Sequence, residues 1–322
     1  MRIFRHFNDL PVEARDAAVA IGNFDGMHLG HRAVIGEAGR IAHSANLPWA
    51  VLTFEPHPRR LFQPDAPPFR LTPLPAKARE IAAQGVDHLV VINFDLEFSK
   101  RTAHSFVEDV LVKGLGVRHV VCGYDFVFGH RRQGDGALLL ALGRTLGFDF
   151  TSVHAVGDAN GGGTYSATRV REALTVGDLA AVARILGRTF EIEGEVVAGE
   201  KRGRALGFPT ANIRLGEYHR PATGIYAVRA SLDDGATWQD GVAYLGTRPT
   251  FGGGEVLLET HLFDFSGDVY GRTLRVGLVE RVRPDQTFTD MDALKAQMAE
   301  DRRRAEQVLA SKPAKTRETI RR

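Results

Sequence analysis

The sequence predicts two domains of different class. Residues 1–186 read as an α/β domain, a Rossmann-like parallel sheet with helices on both faces. Residues 187–310 read as a small antiparallel β-barrel followed by a C-terminal helix, and 311–322 as a polar, disordered tail. Three observations lead there. A length of 322 residues exceeds what one hydrophobic core usually serves. Short apolar runs alternate with helical segments in the first half, as strands buried on both faces require. Beyond about residue 187 strand-like runs follow one another with only turns between them.

Each element has its own warrant. Ala17–Ile21 is a short apolar run closed by Gly22, and 30–45 has helical spacing, with Val34, Ile35, Ala38 and Ile41 on one face. A strand over 48–54, a helix over 75–83 and the buried strand HLVVIN (88–93) follow. Next come a helix over 103–115, the strand HVVCG (119–123), a helix over 136–146 and a strand over 149–153. Helices over 168–174 and 178–186 precede the change of pattern. The barrel strands are read at 190–198, 211–214, 224–232, 238–245, 255–263 and 272–283. Asp233-Asp234-Gly235 and Phe265-Ser266-Gly267-Asp268 are turn signals. Thr289-Asp290-Met291-Asp292 starts the last helix with a capping-box-like pattern.

Composition excludes several classes. With 41 basic against 39 acidic residues, the chain carries no electrostatic footprint for nucleic acid or membrane. The single cysteine, Cys122, excludes a disulfide framework and reads as a buried strand residue rather than a catalytic thiol. No apolar stretch is long enough to span a membrane, and Met1–Phe7 has no apolar signal core. The expectation is a cytoplasmic enzyme acting on small molecules. Weak self-association stays open.

The densest stretch is Gly22-Asn23-Phe24-Asp25-Gly26-Met27-His28-Leu29-Gly30-His31-Arg32, between a predicted strand and a helix. Its glycines allow close backbone approach, and a helix N-terminus suits phosphate. His28 and His31 are three apart and face the same way on a helical turn. Such a pair can ligate zinc, but no Glu or Cys at ligand spacing completes a site. These residues resemble the HxGH signature of nucleotidylyltransferases. The longer form resembles the N-terminal module of bacterial bifunctional riboflavin kinase/FMN adenylyltransferases, also called FAD synthetases. Thr53-Phe54-Glu55-Pro56-His57-Pro58-Arg59 is similar to the family's TFEPHP segment, and Gly123–Gly129 to its GxDFxFG loop, associated with flavin. Taken alone, Phe126 and Phe128 can stack on a flat ring or plug a core. Tyr165–Arg171 is similar to the second ATP motif, SSTxIR, with Ala167 in place of the second Ser.

The resemblance implies an α/β nucleotidylyltransferase domain that adenylylates FMN with ATP. It places His28, His31 and Arg171 at the reacting phosphates. Gly22, Phe24, Asp25, Gly26, His57, Pro58, Asp125, Phe126, Phe128, Ser166 and Thr168 would contact nucleotide or flavin.

The second dense stretch is Gly199–Asn212, Gly-rich and basic, but without the Gly-Lys-Ser/Thr of a Walker A loop. Without a family, Pro209–Asn212 is a turn entering a strand. Gly207–Asn212 resembles the GFPTAN motif of riboflavin kinases. Gly241–Phe251 is similar to the GVxxxGTRPTF segment, and Leu258–Phe265 to the LExHLxDF strand. The resemblance implies phosphorylation of riboflavin to FMN. Thr210 and Asn212 would hold Mg²⁺ and ATP phosphates, and Gly203, Arg204, Gly207 and Pro209 would contact the nucleotide. Glu259 would be the general base. Strand alternation puts Glu259 on the face of Leu257 and His261, where burial would strengthen it as a base; an ordinary edge-strand glutamate is the other reading. Arg283–Phe288 is similar to the closing segment of the flavin pocket, which adds Arg283. Riboflavin, FMN and FAD thus enter as substrates and products, with ATP as co-substrate. Two other classes stand against this. One is a monofunctional nucleotidylyltransferase with a binding barrel, the other a flavin sensor without chemistry. Which of FMN and FAD is made from riboflavin and ATP separates the three.

Overall fold

A computed structural model describes residues 1–158, 163–197, 208–247 and 256–312. The chain forms two compact units, Met1–Ala167 and Thr168–Arg322.

The first unit is built on β1 (Arg2–Phe4), β2 (Ala18–Ile21), β3 (Trp49–Glu55), β4 (His88–Asn93), β5 (His119–Gly123) and β6 (Asp149–Val153). They form one sheet in the order β1-β4-β3-β2-β5-β6, and every pairing is parallel. Alternation divides the core cleanly. Val19, Ile21, Leu52, Phe54, Val90, Ile92, Val120 and Cys122 face one layer. Ala18, Ala20, Val51, Leu89, Val91 and Val121 face the other, where Val34, Ile35 and Ala38 of α1 (Leu29–Ala45) pack. Cys122 is therefore a core residue, and burial, with the nearby Asp125 charge, pushes its thiol up to about 12.

Two details differ from the sequence reading. The helix expected over 103–115 is a short α-turn, Ala103–Ser105, continued by a π-wound segment, Phe106–Leu115. Its buried residues, Phe106/Val110/Gly114 and Val107/Leu111/Leu115, recur every four positions, a spacing wider than the α-helical 3.6 and suited to the wider winding. The edge strand β1 carried no visible signal. It is three residues long and mostly exposed, so no apolar alternation marks it.

Chain order along the sheet reverses at β2. Successive strands β3 and β4 lie on one side of it, β5 and β6 on the other. Loops leaving the carboxyl ends of β2 and β5 therefore flank the crevice where parallel α/β sheets bind ligands.

The second unit is a closed six-stranded barrel. Its strands are β7 (Phe190–Val197), β8 (Ala211–Arg214), β9 (Gly224–Ser231), β10 (Gln239–Thr247), β11 (Val256–Leu262) and β12 (Thr273–Arg283), in the order β10-β11-β8-β7-β12-β9. All pairings are antiparallel. The sequence reading ends the first domain at 186, but the packing divides the chain at 167/168. Helices α7 (Ala167–Val176) and α8 (Leu179–Leu186), numbered after five earlier helices of the first unit that follow α1, count with the barrel. The Ala222 amide donates to the Leu174 carbonyl at 2.9 Å, and the Arg281 side chain lies against Gly177 at the end of α7.

Helix α9 (Met291–Ser311) starts at the predicted cap, where Asp290 accepts from the Ala293 amide at 2.8 Å. It covers the outer wall of the barrel through Ala305 and Leu309, which meet Ala227, Val242 and Phe263. Asp301, 3% exposed, accepts from Nε and Nη2 of Arg283 at 2.8 and 2.7 Å. Removing one partner of such a pair strands the other charge, so Asp301→Ala should destabilise this unit by about 3 kcal/mol. Chemical denaturation followed by far-UV circular dichroism checks it. Of the expected tail, 311–322, Ser311 ends the helix and Lys312 pairs with Glu280 at 2.5 Å; 313–322 lie outside the described residues.

Candidate active sites

The first site grows from the β2–α1 connection. Phe24, Gly26 and Met27 all take positive φ, at 47°, 91° and 47°. The loop is therefore held in a shape that its two non-glycine residues disfavour. Gly26, at φ 91°, takes a backbone that L side chains rarely adopt, and a Cβ there would stand 2.8 Å from a Leu71 methyl. His28 is the N-cap of α1, and its Nδ1 accepts from the His31 amide at 3.3 Å. The neutral ring then carries its proton on Nε2 and presents a donor there. The rings of His28 and His31 stack with centroids 3.6 Å apart, and Phe24 meets His31 edge-on at 5.4 Å. Gly22 makes room for Phe24, whose ring would lie 3.0 Å from a Cβ. The Tyr165 carbonyl, at the start of the second ATP-like motif, stands 3.5 Å from where a Cβ on Gly30 would be. That motif therefore begins beside the first turn of α1.

Other predicted residues divide by role. Asp25 turns its carboxylate into the protein, 3% exposed, where it accepts from the amides of Leu71 and Thr72 at 2.9 and 3.0 Å. His57 caps the short helix that begins at Pro58 and meets Phe69 edge-on at 5.1 Å. Phe128 is a core residue against Phe106. Phe126 stacks on Phe128 with centroids 5.7 Å apart and is half-buried. Asp125, Tyr124 and Val127 are exposed on the same loop. Ser166 is half-buried at the foot of α7, whose first turns carry Thr168, exposed, and Arg171, half-buried.

Sequence reasoning missed the charges beneath this loop. Glu55 accepts from Arg70 at 2.9 and 2.6 Å and from Lys77 at 2.7 Å. Arg70 and Lys77 are 3% and 0% exposed. Burial by itself would raise the Glu55 pKa; the two cations outweigh it and hold the carboxyl below its ordinary range. For Lys77 burial dominates and lowers its pKa. Neither cation announces itself in sequence, because a lone Arg or Lys on an amphipathic segment usually reads as surface.

The second site lies on the barrel's outer wall. Ala227 and Val242 face α9, so their face is the outer one. Tyr244, two residues on from Val242, shares it; Tyr244 stands opposite Glu259, and Glu259 opposite Asn212. The intervening residues Leu245, Leu258 and Ile213, each 0% exposed, fill the interior. Glu259 and Asn212 are 7% and 6% exposed although they face outward. His261, on the same face, donates from Nδ1 to the Pro209 carbonyl at 2.9 Å and meets Phe208 edge-on at 5.3 Å. It thereby fixes the strand entry that carries Thr210. Burial lowers the His261 pKa and outweighs the Pro209 bond, which raises it. The Tyr244 hydroxyl donates to Asp285 at 2.9 Å, tying the 284–289 segment to the same wall. Arg283 gives its guanidinium to Asp301 and lies over Phe288 at 5.7 Å. Gly203, Arg204 and Gly207 lie outside the described residues.

Two family models match: FAD synthetase over residues 10–168 and riboflavin kinase over 186–309. A bifunctional riboflavin kinase/FMN adenylyltransferase of Escherichia coli K12 is 42% identical over 316 residues, covering 98% of this chain and all of that one. The chain belongs to the bifunctional riboflavin kinase/FMN adenylyltransferase family. It is an enzyme of that family along its whole length. The Pseudomonas fluorescens member is 39% identical, covering 94% of this chain and 96% of its own. A solved structure described as a macrolide-efflux protein from Streptococcus pneumoniae superposes with a TM-score of 0.82 at 28% identity, covering 97% of this chain and 100% of that one. No helix among the described residues of this family member is long and apolar enough to cross a membrane.

Proposed function

We propose that the barrel unit transfers the γ-phosphoryl group of ATP to riboflavin, and that the parallel-sheet unit joins FMN to the AMP moiety of ATP. The observation that carries this reading is the pairing of Glu259 with Asn212 on one buried, outward-facing patch. A carboxylate kept from solvent lies beside an amide suited to a metal–nucleotide complex. Glu259 takes the proton of the ribityl 5′-hydroxyl as its oxygen bonds to the γ-phosphorus and ADP leaves.

Among the described residues no cluster of three His, Cys, Asp or Glu side chains could hold a resident metal. Thr210 and Asn212 offer the neutral, hard oxygens that suit Mg²⁺ arriving with phosphates. When bound, that ion would neutralise charge on the phosphates.

In the other unit the FMN phosphate is itself the nucleophile and attacks the α-phosphorus; pyrophosphate leaves. His28 and His31 donate hydrogen bonds to the reacting phosphates. The protein's contribution is alignment and charge stabilisation. Incubation with riboflavin, ATP and MgCl₂, with FMN and FAD resolved by chromatography, tests both halves. Both products are expected. FAD formed only from added FMN would remove the kinase assignment, and absence of both would remove the whole reading.

A further inference from the structure

Beneath the His28 loop, three buried charges, Asp25, Arg70 and Lys77, join the part-buried Glu55 in a neutral set. Two threonine hydroxyls connect this set to the loop backbone. Thr53, 0% exposed, accepts from Lys77 Nζ at 3.2 Å and donates to the Asn23 carbonyl at 3.3 Å. Thr72, 3% exposed, accepts from the Gly26 amide at 2.8 Å. Its own carbonyl accepts from Arg70 at 3.1 Å, and its amide donates to Asp25 at 3.0 Å. Asn23 and Gly26 bracket Phe24 and Asp25. The loop is thus gripped on either side of Phe24, one of its two non-glycine residues with positive φ.

We propose that Thr53 and Thr72 are positioning residues for adenylyl transfer: they pass the order of the buried Arg70–Glu55–Lys77 network to the loop that places His28 and His31. Burial makes the geometry rigid. Arg70 and Lys77 both pair with Glu55, and Arg70 also approaches Asp25, so moving one charge weakens its partner's compensation. The hydroxyls are the weak links between that rigid set and the backbone, and neither lies on the His28–His31 rings. A misplacement of about 1 Å at a reacting group costs as much as 10²-fold in rate. The effect belongs in kcat, because the network orients groups rather than binding substrate.

This inference rests on the adenylyltransferase reading. The test uses the full chain with Thr53→Val and Thr72→Val, which keep shape and remove the hydroxyl, and with Thr53→Ser, which restores it. The expected result is a kcat for FAD formation lowered about 10–100-fold. KM for FMN and ATP should stay within about threefold of wild type. Riboflavin phosphorylation should be unchanged, and Thr53→Ser should recover the wild-type kcat. Each variant's thermal midpoint is measured alongside; if only one valine variant folds, that one decides. Unchanged kcat in a folded valine variant, a raised KM with kcat kept, or no rescue by serine would overturn the inference. Absence of FAD formation in the wild-type chain would instead remove the reading beneath it.

Discussion

His28→Ala should lower FAD formation from FMN and ATP by about 10²–10³-fold, the usual loss for one oriented donor at developing charge. Phosphorylation of riboflavin by the same preparation should continue at the wild-type rate. The magnitude follows from the ring's placement. Nδ1 is occupied by the His31 amide, which leaves Nε2 as the protonated, donating atom at the N-terminus of α1. Alanine also removes the helix cap, worth about 1 kcal/mol of stability. His28→Asn separates the two roles. Asparagine is a good cap but cannot carry a donor to the same place, so stability should hold while FAD formation stays low. Because the two imidazoles stack at 3.6 Å, they act as one unit, and the His28→Ala/His31→Ala double variant should be little worse than either alone. Steady-state assays of both products on one preparation check this. Equal loss of both activities would sink the assignment.

Glu259→Gln should lower FMN formation by about 10²–10⁴-fold, the range attributed to general acid–base groups. Adenylylation of supplied FMN should persist. The substitution is nearly isosteric, and the amide still faces Asn212 and Tyr244 across the strands, so the barrel should keep its stability. What disappears is the proton acceptor. A kinase rate close to wild type would return Glu259 to a structural part in the wall. Comparison with His28→Ala closes the argument: the two variants should fail in opposite halves of the sequence riboflavin, FMN, FAD.

Much of this architecture was written in local pattern. Apolar runs at 88–93 and 119–123 are strands buried on both faces, and such strands need no partner to be read. The glycine spacing ahead of His28 and the Asp290 cap work within one turn of chain, so they too are legible. The first strand escaped notice because a three-residue edge strand buries almost nothing. The winding of Phe106–Leu115 was legible only as a helix, since a repeat of four separates α from π geometry weakly over ten residues.

Site residues divide along the same line. His28, His31, Asn212 and Glu259 stand in dense motifs, and the structure stacks His28 on His31 and sets Glu259 opposite Asn212. Asp25 stands in such a motif as well, yet its carboxylate faces inward to Leu71 and Thr72. Arg70, Lys77, Thr72 and His261 were invisible as site residues. Their roles depend on segments far apart in the chain meeting in space, as Lys77 meets Glu55 and His261 meets Pro209. The sequence alone determined the two fold classes, the order of the motifs and the family resemblance. All of these rest on short-range periodicity and contiguous residue types. Tertiary structure alone decided which charges are buried, which face of β11 looks outward and what holds the His28 loop. Those outcomes depend on register and packing between distant segments, and local pattern carries no information about either.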